Sequence, residues 1–260
     1  MNSLWINQGG LTLQDARMMA ASQNLSNIST YGYKKERVVA ADQFYTTLKQ
    51  AGAMANSGDE LPSGLQVGTG ARITATQKIF TNGNIQNTGN ALDLAIVGDG
   101  FVQVQLPSGE MAYTRNGQLQ LNAEGEIVMA TGQPIEPVIT IPMEARNITI
   151  GQDGTVSVAM PGSPEAQVLG QISLVNFINP MGLQSIGDNF YLETAASGSP
   201  VEGVPGTNGL GEIRQFSLEA SNVDVVEELV NLIMIQRAYE MQARAIDVAS
   251  NSQEYLVKSS

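Results

Sequence analysis

The two ends of the chain share one unusual pattern, apolar residues repeated every seven positions, which limits the folds that the chain can adopt. A seven-residue period places side chains along one narrow face of a helix. Residues 3–29 contain no proline and are predicted to be helical, with the helix ending near Thr30 and Gly32 as its stop. The predicted contact residues of this helix are Leu4, Leu11, Met18, Leu25 and Ile28.

A second helix is predicted at the C-terminal end, from about residue 222 to about residue 250. Asp224, followed three positions later by Glu227, is typical of a helix N-terminus with a cap and with acid in its first turn. The predicted contact residues of this helix are Val225, Leu229, Leu232, Tyr239 and Ile246.

Neither predicted helix can stabilise itself, because each apolar face is narrow and isolated helices are marginal in water. We therefore expect the two helices to pair as an antiparallel, coiled-coil-like unit. Neighbouring copies of the chain would then cover the apolar edges that remain. Head-to-tail contacts that do not close into a ring build a helical filament, so the pattern predicts self-assembly.

The residues between the helices are predicted to be β from about residue 70 to about residue 215. Val102 and Val104 alternate with glutamines, and turns such as Pro107-Ser108-Gly109 separate short runs of this kind. The predicted fold class is α+β, with an all-β, antiparallel and partly barrel-like domain inserted between the helices. The predicted domains are a helical polymerisation domain (1–30 with 222–260), an extended linker rich in small and polar residues (31–69) and a β-rich outer domain (70–221).

The composition excludes several kinds of chemistry. The chain has no histidine and no cysteine, so it cannot form a Ser-His-Asp triad, a metal site with His or Cys ligands, or a disulfide. Its 13 basic and 25 acidic residues give a net charge of −12, which argues against binding to nucleic acid or an anionic membrane. No apolar run approaches the ~20 residues of a membrane-spanning helix, and the N-terminus does not resemble a signal peptide. We expect no cofactor, no metal and no membrane insertion.

Two features leave alternatives open. The acidic pairs Asp59-Glu60 and Glu227-Glu228 are the type of residue that a secreted carboxylate-dependent hydrolase uses, although sequence neighbours do not place two carboxylates across a bond. The dense basic cluster Lys34-Lys35-Arg37 is typical of a solvated turn, and its second interpretation is pairing with acidic surfaces on neighbouring copies.

Both ends of the chain also resemble the signatures of flagellar rod and hook proteins. Ala21–Lys34 (ASQNLSNISTYGYK) is similar to the family's N-terminal signature, and Leu218–Val230 (LEASNVDVVEELV) with Gln236–Glu240 (QRAYE) is similar to its C-terminal signature. Val97–Val104 and Tyr113–Gly117 resemble the start of the family's β-domain. The residues that carry the two terminal signatures are Asn24, Leu25, Asn27, Thr30, Gly32, Tyr33, Lys34, Glu219, Ser221, Asn222, Val223, Gln236, Arg237, Ala238 and Tyr239.

The resemblance implies a structural, non-enzymatic subunit without catalytic residues, which assembles helically with its own copies. The length and an extra segment at 45–62 are most similar to distal-rod members, whose rod crosses the periplasm to the outer membrane. The implied partners are proximal rod proteins, the hook protein, the P-ring and L-ring proteins, and the flagellar type III export apparatus, which takes chains without a cleaved signal peptide. A proximal rod or hook subunit is the alternative within the family. The insert residues expected to make the rod rigid are Tyr45, Gly52, Gly58 and Pro62.

Overall fold

A computed structural model describes residues 2–50, 54–56, 59–60, 64–145, 147–161 and 166–259 of the chain. Two long helices, α1 (Asn2–Ser26) and α2 (Val225–Ser259), stand at the ends, and antiparallel strands lie between them, which confirms the α+β class. The strands are β1 (Glu36–Asp42), β2 (Tyr45–Lys49), β3 (Met54–Asn56), β4 (Asp59–Glu60), β5 (Leu65–Gly68), β6 (Ala71–Lys78), β7 (Ile85–Asn87), β8 (Leu94–Val97), β9 (Phe101–Gln105), β10 (Met111–Thr114), β11 (Leu119–Leu121), β12 (Ile127–Met129), β13 (Ile135–Glu136), β14 (Asn147–Ile150), β15 (Thr155–Ala159), β16 (Ala166–Gln171), β17 (Leu174–Asn176), β18 (Gln184–Gly187), β19 (Phe190–Leu192), β20 (Val201–Gly203), β21 (Glu212–Gln215) and β22 (Ser217–Glu219).

The chain divides into two compact units that interleave along the sequence. The first unit comprises Met1–Leu25, Glu36–Gln77 and Asp224–Ser260, and therefore holds both helices. The second unit comprises Ser26–Lys35 and Lys78–Val223, and holds most of the strands. The domain boundaries expected from the sequence stay a prediction.

The helix ends follow from local sequence signals. Asp224 caps α2, because its Oδ1 accepts the backbone N–H of Val226 at 2.8 Å and that of Glu227 at 3.1 Å, which confirms the predicted cap. No glycine or proline interrupts α2, and it continues to Ser259, beyond the predicted end. Helix α1 ends at Ser26, before the predicted Thr30, and the chain then turns.

The segment 31–69, expected as an extended linker, contains β-strands among its described residues. Strand β1 pairs with β6, and β2 pairs with β5 in a hairpin that we call the arm. Its strands are rich in β-branched and aromatic residues, which favour extended pairing. Every residue of β2 is exposed, whereas Val67 and Gly68 of β5 are half-buried, so the arm is covered only in part within its own unit.

The second unit is built on an open sheet of seven strands. Its order is β18-β19-β10-β9-β17-β20, with β13 also paired to β9. Along β9 the side chains alternate between two apolar clusters, with Val102 and Val104 in the larger cluster and Phe101 in the smaller one. The smaller cluster is largely aromatic, and its ring pairs meet edge to face, as Tyr113 and Phe177 do at 4.8 Å between centroids.

The expected partly barrel-like arrangement is not confirmed, because the strands of the described residues form no closed barrel. The seven-stranded sheet stays open, with β18 and β20 at its edges, and the remaining pairs form separate sheets of two or three strands. The short strands and frequent turns explain this division, since closing a barrel needs continuous pairing all the way round.

Over their described residues, neither α1 nor α2 carries an apolar stretch that could span a membrane. Among all the residues that the structure describes, no cluster of three acidic side chains is arranged to hold a metal ion.

Candidate functional site

The two terminal signatures meet inside the second unit in a buried ion pair. The Lys34 ammonium lies 2.7 Å from Glu219 Oε1, and both side chains are fully buried. Lys34 also donates a hydrogen bond to the carbonyl oxygen of Thr81 at 2.8 Å. A buried charge is tolerated only when it is paired and hydrogen-bonded, and this lysine meets both conditions.

Arg115 completes the cluster from the middle of the chain. Its Nε donates to Glu219 Oε2 at 2.9 Å. The other guanidinium nitrogens donate to the carbonyl oxygens of Gly100 at 3.0 Å and Gly98 at 2.8 Å, and to Asn82 Oδ1 at 3.0 Å. These partners hold the planar group in one orientation. We call Lys34, Arg115 and Glu219 the buried charge cluster.

The buried charge cluster holds two cations against one carboxylate, and this imbalance acts on Lys34. The pKa of its amine lies at about 8, below the ordinary value of 10.5, because burial penalises the charged form and the Arg115 guanidinium repels it. The Glu219 carboxylate partly offsets both effects. The sequence-based interpretation of the basic cluster as a solvated turn is therefore wrong for Lys34, whereas Arg37 is exposed.

Backbone groups reinforce the junction around the buried charge cluster. Gly32 has a φ of 71° and donates its N–H to the Glu219 carbonyl oxygen at 2.8 Å. A Cβ on Gly32 would lie 2.7 Å from the backbone nitrogen of Asn116, so both the conformation and the space require glycine. The Asn222 side chain accepts the Lys35 N–H at 2.7 Å and donates to the Ile79 carbonyl oxygen at 2.8 Å.

The same signatures also meet inside the first unit. Asn24, almost fully buried in α1, accepts the Glu36 N–H and donates to the Glu36 carbonyl oxygen, each at 2.8 Å. Its amide nitrogen lies 3.5 Å from Glu228 Oε1 on α2. Near the other end of α1, a Cβ on Gly10 would lie 2.6 Å from Gln242 Nε2. Because position 24 faces 228 and position 10 faces 242, the two helices run antiparallel.

Comparison with known proteins decides the family. A family model described as "Flagellar hook protein FlgE/F/G D1 domain" matches residues 95–158, and one described as "Flagellar basal body rod FlgEFG protein C-terminal" matches residues 214–258. The flagellar basal-body rod protein FlgG of Buchnera aphidicola subsp. Acyrthosiphon pisum is 48% identical over 95% of both chains. FlgG of Borreliella burgdorferi is 43% identical over 96% of both chains, and FlgG of Bacillus subtilis is 32% identical over 99% of this chain and 98% of its own. The chain belongs to the flagellar basal-body rod protein family.

This membership confirms the resemblance found in the sequence, and the chain is most like the FlgG members. Rod proteins are structural, so membership points to a structural role for the chain. The expected non-enzymatic character thus has support from the family.

The structure places the signature residues of this rod protein in different environments. Tyr33, Lys34, Glu219 and Val223 are buried, as is Asn24, whereas Gln236 and Arg237 are exposed on α2. Gly32 is also buried and Tyr239 is exposed. The other signature residues are half-buried: Leu25, Asn27, Thr30, Ser221, Asn222 and Ala238.

The predicted contact residues are only partly covered in the isolated rod protein. Leu11, Met18, Leu25, Ile28, Leu232 and Ile246 are half-buried, and Val225, Leu229 and Tyr239 are exposed. The side chain of Leu4 lies outside the described residues, as do Gly52, Gly58 and Pro62 of the insert, while Tyr45 is exposed.

The buried face of each helix is formed by residues outside the predicted contact sets. Among the described residues, the buried side chains include Leu13 and Ala21 on α1, and Glu228 and Ile235 on α2. Ala21 lies beside the predicted column, whereas Leu13 lies on the far side of α1 from Leu11 and Met18. On α1, the small residues Ala20, Ala21 and Ser22 near Asn24 could have indicated a buried face, because small side chains let other elements approach a helix closely. Arg115 lies in a segment that resembles the family's β-domain, but nothing local to it indicates a buried ion pair.

Proposed function

We propose that the chain is a structural subunit that polymerises helically into the distal rod of the flagellar basal body, a rigid shaft that carries motor torque to the hook. Family membership supports a place in the rod. The observation that supports polymerisation most strongly is a set of exposed apolar side chains on α2. Among the described side chains of α2, the most exposed apolar ones are Val226, Val230, Ile233, Met234, Met241 and Val248.

These side chains lie away from the stripe that α2 buries within its own unit. Val226 is 71% exposed, Ile233 is 56% exposed and Met241 is 66% exposed. A helix that is apolar on several sides is normally buried on several sides. Covering the exposed part of such a side chain contributes about 1 kcal/mol, so a set of six is a substantial driving force for association.

We propose that the predicted contact residues take part in the same association. Val225, Leu229 and Tyr239 remain exposed on α2, and Leu11 and Met18 keep part of their surface on α1. We further propose that the apolar residues repeated every seven positions pack against one another as in a coiled coil, either between α1 and α2 of one copy or between helices of neighbouring copies. The antiparallel course of α1 and α2 is compatible with such interlocking.

The arm supports a second contact between copies. Leu48 on β2 is 61% exposed, and Phe44, which directly precedes β2, is 90% exposed. A two-stranded hairpin of this kind is marginal alone in water. We propose that neighbouring copies cover the arm, and that the insert 45–62 thereby resists sliding between subunits. Deleting 45–62 should give curved or flexible rods in electron micrographs, whereas straight rods of normal stiffness would contradict this role.

The remaining parts of the proposal concern location and partners. We propose that the rod built from this chain crosses the periplasm to the outer membrane, inside the P-ring and L-ring proteins. Proximal rod proteins would lie below it and the hook protein above it. The flagellar type III export apparatus would deliver the chain without a cleaved signal peptide.

The second candidate is a proximal rod or hook subunit, because the similarity of the chain extends beyond the FlgG members of the family. The chain is 34% identical to the flagellar basal-body rod protein FlgF of Caulobacter vibrioides over 87% of this chain and 84% of that one. Labelling the protein in purified basal bodies distinguishes the candidates, because a distal subunit lies at and above the P ring and a proximal one below it.

A complementation experiment tests the proposed function. In a deletion strain, the wild-type gene should restore the distal rod and motility, and Ile233→Asp should restore neither, because it places a charge in a contact that assembly buries. Val168→Asp is the matched control, since Val168 is 62% exposed on β16 of the other unit. Normal rods with Ile233→Asp would contradict the proposal.

A further inference from the structure

The first unit contains an open cleft on its surface. The cleft has a volume of about 370 Å³ and is lined by α1, β1 and α2. Ala20, Ala21 and Ala238 give it a floor of small side chains, and Arg17 and Arg37 add two cations to its lining. Gln14, Asn24, Asn231 and the buried Glu228 also line the cleft, so its lining mixes apolar and polar groups, and its exposed charges are those of Arg17 and Arg37, which we call the basic rim.

The basic rim is notable in a chain with a net charge of −12. Arg17 and Arg37 are both exposed, and among the described residues neither lies within ion-pair distance of a carboxylate of its own chain. The Arg37 guanidinium donates a hydrogen bond to Gln77 Oε1 at 3.3 Å. The cleft therefore favours an acidic partner with an apolar side chain close to its carboxylate.

The other side of α1 offers such a partner. Asp15 is exposed, and Met19, one turn further along, is 60% exposed. Residues four apart stand next to each other on a helix surface, so the carboxylate and the flexible thioether chain form one compact knob. Trp5, which is 71% exposed, lies towards the same side of α1.

The cleft and the knob can be used at the same time. At about 100° per residue, Asp15 and Met19 lie roughly opposite Arg17, Ala20 and Ala21 around the axis of α1. A copy whose knob fills the cleft of a neighbour therefore still presents its own cleft to the next copy. Such a contact is heterologous and propagates along a filament.

We infer that the Asp15–Met19 knob of one copy docks in the Arg17–Arg37 cleft of a second copy, with Met19 on the alanine floor and Asp15 paired with the two arginines. This inference rests on the proposed function, since it names a surface through which the subunits polymerise. Its occupant is a second copy of this chain, because the chain itself presents the matching knob and its acidic excess matches the cleft.

Charge reversal tests the inference on the full-length chain. Polymerisation of purified protein is followed by sedimentation and by the fluorescence of Trp5, the single tryptophan. Asp15→Arg alone, and Arg17→Glu with Arg37→Glu, should each raise the critical concentration for polymerisation by about tenfold or more, since like charges then face each other. Combining all three changes should return it to within about threefold of wild type, because the pairing is restored with its signs exchanged.

Matched controls separate the contact from general charge effects. Glu212→Arg and Arg214→Glu change exposed residues on β21 and should leave the critical concentration unchanged. Far-ultraviolet circular dichroism of each monomer checks that the helices persist.

Two results would overturn the inference while leaving the proposed function intact. One is that the charge-reversed variants polymerise like the wild type. This includes variants that polymerise normally but do not support motility, since the changed residues would then act on a different partner. The other is impaired polymerisation that the combined variant does not rescue. A wild-type chain that stays monomeric at all concentrations would overturn the proposed function together with this inference.

Discussion

The buried charge cluster gives the sharpest prediction about stability. Glu219→Gln keeps the shape of the side chain but removes the carboxylate that pairs with both Lys34 and Arg115, whose side chains are 0% and 2% exposed. Removing one partner of a buried ion pair leaves an uncompensated buried charge and costs about 3–5 kcal/mol. Here two cations would face each other without a carboxylate between them. We therefore expect the second unit of Glu219→Gln to lose about that much of its unfolding free energy.

The assay is urea unfolding followed by near-ultraviolet circular dichroism, which reports the buried rings of Tyr113 and Tyr191 in the second unit. Glu212→Gln, at an exposed position on β21, is the matched control and should change stability by less than about 0.5 kcal/mol. Adding Lys34→Met to Glu219→Gln removes one of the two cations and should recover part of the loss. A Glu219→Gln midpoint equal to that of the control would refute the reasoning.

Three further predictions concern single residues. Gly32→Ala should lower the free energy of unfolding in urea by about 2 kcal/mol or more, because Gly32 has a φ of 71° and no room for a Cβ. Gly109→Ala is the control and should lower it by only about 1 kcal/mol, because Gly109 has a φ of 86° but open space around it. Equal losses in the two variants would contradict the steric argument. In the unfolded chain Lys34 keeps its proton up to its ordinary pKa of 10.5, whereas in the folded chain its pKa is about 8. The free energy of unfolding should therefore rise by about 3 kcal/mol between pH 8 and pH 10.5, relative to Lys34→Met. Parallel pH profiles of the two proteins would contradict this prediction. Asp224→Ala should lower helix stability by about 1 kcal/mol in thermal unfolding followed by far-ultraviolet circular dichroism, and an unchanged melting curve would contradict the cap.

The helices and the cap of α2 could be predicted because their signals are local. The absence of proline from both ends, and Asp224 in front of an acidic first turn, act on the backbone within a few residues. The buried face of α1 could not be predicted in the same way. The seven-residue column selects Met18, yet the helix buries Leu13 and Ala21, because the buried face depends on which elements approach the helix.

The buried charge cluster could be predicted only in part. Lys34 and Glu219 belong to the two signatures, so their importance was visible in the sequence. Their pairing was not, because they lie far apart in the chain and meet only once the strands of the second unit are formed. Arg115 joins them from a third segment, and no sequence pattern indicates that three such charges share one buried site.

The most direct test of the account is the accessibility of the exposed face of α2 before and after assembly. The chain has no cysteine, so Ile233→Cys introduces a single thiol at a position that is 56% exposed. Maleimide should label this thiol rapidly in the monomer, hardly at all in intact basal bodies, and rapidly again once the rods are dissociated in urea. Equal labelling of monomer and intact rod would show that assembly leaves this face open to water, and would contradict the account.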